Sequence, residues 1–447
     1  MTASLLTRVG RHVAAPRWED LSPAVRERAL LAVLDVLGCG YVGDRLGVHA
    51  PFVDGLLRGG GSGAATLWAR GDRLPAAHAA LANGTVAHHV EMDDGVPRAS
   101  LHGGVTIITA ALAQAEATNA SGRATLEAIV AGYSAAVACG RPLVAGIGAH
   151  RLHPPSIVGG FGAAAAAARL LGLDAEGIAD ALALAGQLVP IGPFEPFTRG
   201  ATVKDLYGGW PAFVGVQAAE LARAGLAGPR DLLEAPRDGL GTFLLHGPAS
   251  TAGIEPDPDE LLQAYFKPYS TCLSVQPTLT ALESLADRVQ DPDAIESVTV
   301  ETYPFAVGLS DDADMATPIG ARTSLPYCAA SMLLDGEVYP EAFTPSALAD
   351  PRRLALAAKV RAVVAPDMAE PGIRAARVTI RLTDGSIHRV EARDSRWSAA
   401  APATAGEVRA KFRRLAGSAA PALEAAVDAL PGAPDLGRLV AALGQPS

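Results

Sequence analysis

Lysine is almost missing from this chain. Of its 37 basic residues only Lys204, Lys267, Lys359 and Lys411 are lysines, and the rest are arginines. A sequence that replaces lysine nearly everywhere marks the survivors as places where a compact, titratable ammonium serves and a guanidinium does not. Lys359, in the arginine-rich helical pattern DPRRLALAAKVRAVV, and Lys411, in VRAKFRRLAG, read as solvated surface charges. Lys204, in TRGATVKDLYGGW, and Lys267, in AYFKPYSTC, lie in short segments rich in aromatics or glycine and are the candidates for function.

Other absences narrow the field. The four cysteines, Cys39, Cys139, Cys272 and Cys328, are far apart and form no CxxC pair. Their spacing encodes neither a disulfide framework nor a zinc or iron–sulfur site, so reduced thiols in a cytoplasmic protein are expected. A net charge of −10 with no basic tract argues against nucleic acid or an anionic membrane as the main partner. No uncharged apolar run reaches about 18 residues. The best stretch, residues 157–173, is alanine and glycine broken by Arg169, so no membrane span is expected. The N-terminus mixes arginine, histidine and acid through its apolar residues and lacks the hydrophobic run of a secretory signal.

What is present is a long, core-forming chain. Its 447 residues at 49% hydrophobic are expected to fold as more than one domain. Ser22 followed by Pro23 is a helix start, and helical patterns cover residues 76–89, 104–118, 125–137, 155–173, 175–188 and 203–224. Glycine runs at residues 59–63 and 159–162 lack the GK[ST] of a phosphate loop. Near residue 253 the composition shifts to proline and acid. SVTVETY then alternates as a strand, and ARVTIRL with SIHRVEA reads as a hairpin turned at Asp384-Gly385. Helical patterns at 276–286, 324–334 and 351–364 lie among these strands, and purely helical segments return after residue 399. The predicted fold is therefore mainly α. A large helical domain over residues 1–262 and 399–447 carries an inserted, smaller α+β domain over 263–398.

Chemistry concentrates in residues 83–104, NGTVAHHVEMDDGVPRASLHGG, where His88, His89, His102, Glu91, Asp93 and Asp94 crowd an apolar background. Carboxylates buried together shift in pKa, and imidazoles titrate near neutrality, so the segment offers proton donors and acceptors. His102 is the candidate acid/base, Lys204 a carboxylate clamp or oxyanion stabiliser, and the carboxylates fix a histidine tautomer or a lysine charge. Glu91, His88, His89 and Asp93 can alternatively chelate a divalent metal, helical i,i+4 spacing bringing His89 toward Asp93. That reading ranks below a cofactor-free one. His153, before Pro154-Pro155 at a helix start, is either a pocket residue or a turn-packing imidazole. Arg98, Arg151, Arg199 and Arg322 are possible carboxylate binders in a chain where most arginines are solvated.

Five collinear segments carry a resemblance: the NG...H...DD...LHGG cluster, HPPSIVGGFGAAAAAARLLGL, VKDLYGGWPAFVGVQAAELARAGL, FKPYSTC and SLPYCAASMLLDGEV. Together they resemble the MmgE/PrpD family, which includes 2-methylcitrate dehydratase, cis-aconitate decarboxylase and iminodisuccinate epimerase-like enzymes. The resemblance implies a homodimer with an α+β lid over a helical domain, and a site in the cleft that needs neither metal nor organic cofactor. It implies proton transfer beside a carboxylate of a small organic acid. His102, His153, Lys204 and Tyr327 would be catalytic, and Glu91, Asp93, Lys267, Cys272, Gln276 and Arg322 would bind substrate.

The chain departs from the family pattern where a histidine commonly follows the KPYPSC-like segment. Here the segment reads KPYSTCLSVQPTLTAL, with Cys272 and Gln276 at the candidate positions. Glu91 stands where an aspartate is common, Gly95 where a threonine is often found, and LHGG lacks a following proline. The pocket is thus expected to take a substrate with fewer carboxylates, as in an enzyme diverted to secondary metabolism. The competing expectation is a catalytically silent ligand-binding member.

Overall fold

The computed structural model describes residues 3–15, 17–189, 192–370 and 372–445. The fold is mainly α. Ser22 caps the Pro23–Leu46 helix by accepting the Val25 N–H, Pro23 supplies the preset first turn, and Gly47 at φ 70° ends it. From Ala29 to Gly43 nearly every residue of this helix is buried, so it is a central rather than a surface element. None of the described helices is long and apolar enough to cross a membrane.

Small residues set how closely the helices approach. The Ala76–His88 and Leu206–Arg223 helices meet backbone to backbone: a Cβ on Gly209 would lie 2.1 Å from the Leu81 carbonyl oxygen, and one on Gly208 2.7 Å from His88 Cβ. Only glycine permits that contact. Its consequence is positional. The start of one helix, with Lys204 and Asp205 just before it, is pressed against the end of the other, which carries His88 and His89.

Two large apolar clusters are buried. One gathers residues from Leu5 to Phe266 and again from Trp397 to Leu443. The other lies between Tyr269 and Ile380, around a four-stranded sheet. In that sheet Ile295–Thr302 pairs antiparallel with Ala376–Leu382, which pairs antiparallel with Ile387–Ala392, as the hairpin pattern predicts. The outer strand on the far side, Val360–Val364, pairs parallel with Ile295–Thr302. This corrects the expected helix over 351–364, which stops at Ala357. The β-branched run at 360, 363 and 364 favours extended backbone where an open sheet edge accepts it. Lys359, exposed as expected, donates to the Ile295 carbonyl at 2.6 Å beside that edge.

Lys411 is the second correction. It is 2% exposed, and its ammonium donates to Asp35 at 2.7 Å and to the Met92 carbonyl at 2.6 Å. The Ala405–Ala416 helix buries Val408, Lys411, Phe412 and Leu415 against the core, so this lysine occupies the apolar stripe. It ties the last part of the chain to the backbone of the 83–104 cluster. Burial pushes the Asp35 carboxyl up to about 6, with Lys411 pulling the other way. Removing the ammonium leaves a buried carboxylate unpaired, a loss of about 3–5 kcal/mol. Lys411→Met should therefore lower stability by about that amount at neutral pH, measured by urea denaturation. The loss should shrink as pH falls through about 6, where the Asp35 carboxyl of the native wild-type protein itself takes up a proton and no longer needs the ammonium.

Candidate active site

The acidic segment leaves its helix by a reversal. After His88 and His89 the backbone turns left-handed at Glu91 (φ 52°), which aims that carboxylate back into the protein. The chain then pairs Gly95 with Tyr265 and Val96 with Leu101, returning to His102 at the foot of a π-helical turn over Gly104–Ile108. Gly103 is required there, because a Cβ would fall 2.1 Å from the Tyr133 ring. Lys204 stands on the short Thr202–Asp205 turn, and Lys267 follows Tyr265-Phe266 as the chain passes from one apolar cluster to the other.

These residues meet. The Glu91 carboxylate bridges both lysines, in contact with Lys204 Nζ through Oε1 and 3.2 Å from Lys267 Nζ through Oε2. Asp93 Oδ2 lies 3.1 Å from His88 Nδ1 and 2.9 Å from His102 Nδ1, while His102 Nδ1 is also 2.8 Å from the Asp94 carbonyl oxygen. With two acceptors at Nδ1 the proton resides there, and Nε2 is left with its lone pair. The His102 side chain is 15% exposed, against 5% or less for Glu91, Asp93 and both lysines. Asp94 is held apart, accepting from the Tyr133 hydroxyl at 2.6 Å and the Gly104 N–H at 2.7 Å.

A second carboxylate backs Lys204. Asp205 Oδ2 is 2.8 Å from both His49 Nε2 and His89 Nδ1, and its Oδ1 lies 3.8 Å from the Lys204 ammonium. Arg322 is fully buried, donating to Ser270 Oγ and the Pro318 carbonyl, and its Nη2 has no hydrogen bond.

Burial dominates the proton affinities. It pushes Lys204 down to about 7, with Lys267 and Arg322 adding to the shift, while Asp205 and Cys272 oppose it. Burial alone would lower Lys267, but Asp93, Tyr265, Cys272 and Cys39 together hold it above its ordinary value. Burial alone would raise Asp93, but His88, His102 and Lys267 hold it well below the usual carboxylate range. Burial pushes His88 down to about 4 and His153 well below its usual value, so both imidazoles are neutral at pH 7.

The structure thus gathers Glu91, Asp93, His102, Lys204 and Lys267, with Arg322 and Cys272 near enough to contribute to the Lys204 charge balance. His153 packs on the Tyr207 ring at 4.7 Å and lies 6.2 Å from the His88 ring; it makes no side-chain cap, and its Nδ1 has no hydrogen bond. Gln276 is turned away, its amide donating to Tyr269 and Thr271. Tyr327 does not join the cluster. Its hydroxyl donates to the Ala342 carbonyl at 2.7 Å within the second apolar core, where its ring meets Phe343. Of the other arginines, Arg98 pairs with Glu260 and Arg199 with Glu195, both away from the lysines.

The anticipated metal set does not assemble, because His89 turns to Asp205 rather than Asp93. Among the described residues, His49, His89 and Asp205 do place donor atoms within 4.8 Å of one another. Both imidazoles share one oxygen at hydrogen-bond distance, which is the geometry of a hydrogen-bonded array. Three residues of the site escaped the sequence reading. Asp205 and Tyr265 flank the suspect lysines, in VKD and YFK, whereas His49 has no local signal. Tyr265 stands edge-on to His102 with ring centroids 6.5 Å apart, and burial pushes its phenol up to about 12.

Similarity to known proteins covers the same ground. Residues 7–252 match the MmgE/PrpD N-terminal domain and residues 269–430 the MmgE/PrpD C-terminal domain. The chain is 29% identical to the cis-aconitate decarboxylase of Homo sapiens over 396 residues, 82% of this chain and 78% of that protein. It is 26% identical over 432 residues to the cis-aconitate decarboxylase-like protein oryM of Aspergillus oryzae, 89% of this chain and 88% of that one. The Mus musculus cis-aconitate decarboxylase is 28% identical over 364 residues, 78% of this chain and 73% of that protein. With both domains matched across most of its length, the chain is an enzyme of the MmgE/PrpD family.

Proposed function

We propose that the protein is a cofactor-independent lyase that moves a proton at a carbon beside a carboxylate or carbonyl of a small organic acid. One observation carries this reading: His102 Nδ1 is committed to Asp93 and the Asp94 carbonyl, leaving Nε2 as a base on the most exposed face of a cluster that also holds two buried lysines. The likeness to cis-aconitate decarboxylases favours decarboxylation over dehydration or epimerisation. As CO2 leaves, its bonding electron pair stays on the adjacent carbon and delocalises into an enolate. Lys204 then stabilises the developing negative charge, and His102 Nε2, having taken a proton from solvent at its more exposed side, delivers that proton to carbon. Lys267 and Arg322 hold a substrate carboxylate, Asp93 keeps the His102 tautomer, and His153 forms the pocket wall.

In this proposal the α+β part, residues 263–398, acts as a lid over the helical part. The enzyme works as a cytoplasmic homodimer on an acid of secondary metabolism, and the absence of the usual histidine at both candidate positions, Cys272 and Gln276, supports that diversion.

Incubating the protein in D2O with a panel of carboxylic and keto acids and reading products by NMR tests the reaction. CO2 release with deuterium at the product carbon is the expected outcome; binding without exchange or turnover would instead identify a silent ligand-binding member. His102→Ala and Lys204→Ala should each lower turnover about 10²–10⁴-fold in the folded protein, and Lys204→Ala should also lower the melting temperature because it removes a buried partner of Glu91 and Asp205.

The pH profile checks the role of Lys204 separately. Its ammonium is lost as pH rises through about 7, so turnover should fall on that alkaline side. Lys204→Arg keeps its charge at all these pH values, so whatever rate it retains should not show that decline.

A further inference from the structure

The charge of the site and the nature of one wall together limit what the substrate can be, on the reading that the site is catalytic. Lys204, Lys267 and Arg322 supply three cations, and Glu91, Asp93 and Asp205 already face them with three carboxylates. Asp94 is bound separately by Tyr133 and the Gly104 N–H. The fixed charges are in balance before any substrate arrives. Each further carboxylate brought into this buried place must be neutralised or left unpaired, and the latter is costly. One can be accommodated by displacing Glu91 from a lysine or by taking up a proton; three exceed what the residues offer.

Beside Lys204 the wall is apolar. Phe197, Leu309 and Ile319 form a small buried cluster of their own, with Phe194 and Cys272 packed against it. Lys204 Nζ lies 5.0 Å from the Phe197 ring centroid, Phe194 is 5.4 Å from Phe197, and Phe194 is also 5.8 Å from the His153 ring. The cluster therefore runs from the catalytic lysine past the pocket histidine. At its outer end Phe194 lines an open groove of about 720 Å³ between His150-Arg151 and Asp312–Asp314. Cys272, one of the two candidate positions for the histidine that the family commonly carries, packs against this cluster.

We infer that the substrate is an acid with one carboxylate, held by Lys267 and Arg322, a β-carbonyl beside Lys204 that takes up the electron pair as CO2 leaves, and an apolar substituent that lies against Phe194, Phe197 and Ile319. An apolar group fills such a wall without leaving a polar partner unmet, whereas a second or third carboxylate directed there would be desolvated without a donor.

Calorimetric binding of two unreactive probes tests this independently of turnover. 3-Phenylpropanoate should bind at least about tenfold more tightly than propane-1,2,3-tricarboxylate, in line with what differences in a hydrophobic pocket confer. Phe197→Ala and Ile319→Ala should each weaken 3-phenylpropanoate about tenfold or more, while Phe197→Leu retains most of the affinity. Acetate, which uses only the cationic end, should bind all four proteins alike. The inference is overturned if the tricarboxylate binds as tightly as the phenyl acid, if neither binds, or if the substitutions weaken acetate and the phenyl acid equally. A protein that binds as expected but catalyses no exchange in D2O would overturn the lyase reading and leave this preference standing.

Discussion

The shared carboxylate of Glu91 is the interaction on which the site depends. Lys204 and Lys267 are at most 1% exposed, and an isolated ammonium at that depth would lose its proton rather than stay charged. Both keep a partner because one carboxylate offers an oxygen to each. The left-handed backbone at Glu91 is part of the arrangement: a non-glycine residue adopts φ near 52° at a cost, and the surrounding contacts hold it there. Through that one side chain a helix end, a short turn and the segment leading into the second core are fixed relative to one another.

Around this bridge the same device appears three times. Asp93 takes one oxygen to two imidazoles, Asp205 takes one oxygen to two others, and Asp35 holds Lys411, which in turn donates to the Met92 carbonyl. His102, Lys204 and Lys267 are each backed by a carboxylate that fixes its tautomer or its protonation. His102 is the member whose second nitrogen faces outward, and the remaining imidazoles lie deeper. Asymmetry of exposure, rather than of residue type, separates the histidine proposed to react from its neighbours.

Much of this was legible because charge is scarce in the chain. Three carboxylates and three histidines within residues 83–104 stand out against an alanine-rich background, and the rarity of lysine isolates Lys204 and Lys267. The same signal failed for Lys411, since flanking arginines make VRAKFRRLAG resemble a solvated helix; its register with Val408, Phe412 and Leu415 was the informative pattern. Residues 360–364 were misread because helix formers precede them and the competing sheet edge is a tertiary feature. His49 was out of reach, as nothing near it in sequence indicates that a carboxylate at position 205 will fold against it. The resemblance placed Tyr327 among the catalytic groups, whereas a phenol does approach His102 from Tyr265, two residues before a suspect lysine.

The departures from the family pattern acquire a common physical sense in three dimensions. A Cβ at Gly95 would lie 2.4 Å from the Tyr265 hydroxyl, so a threonine there and this placement of Tyr265 exclude one another. The ring beside His102 therefore takes up space that a small hydroxyl side chain at position 95 would claim. At Cys272, one of the two positions where the resemblance leads one to expect a titratable ring, the smaller thiol packs against Phe197, Leu309 and Ile319. Both changes replace a small or ionisable polar contact with aromatic or aliphatic surface, while Glu91, Asp93, His102 and both lysines remain joined to one another. On the proposed reading, a site that keeps these groups and lines their surroundings with apolar atoms differs in what it admits more than in what it can do. That separation follows from burial: the paired charges are locked by their mutual hydrogen bonds, whereas the walls facing them are free to vary with the shape and polarity of the ligand.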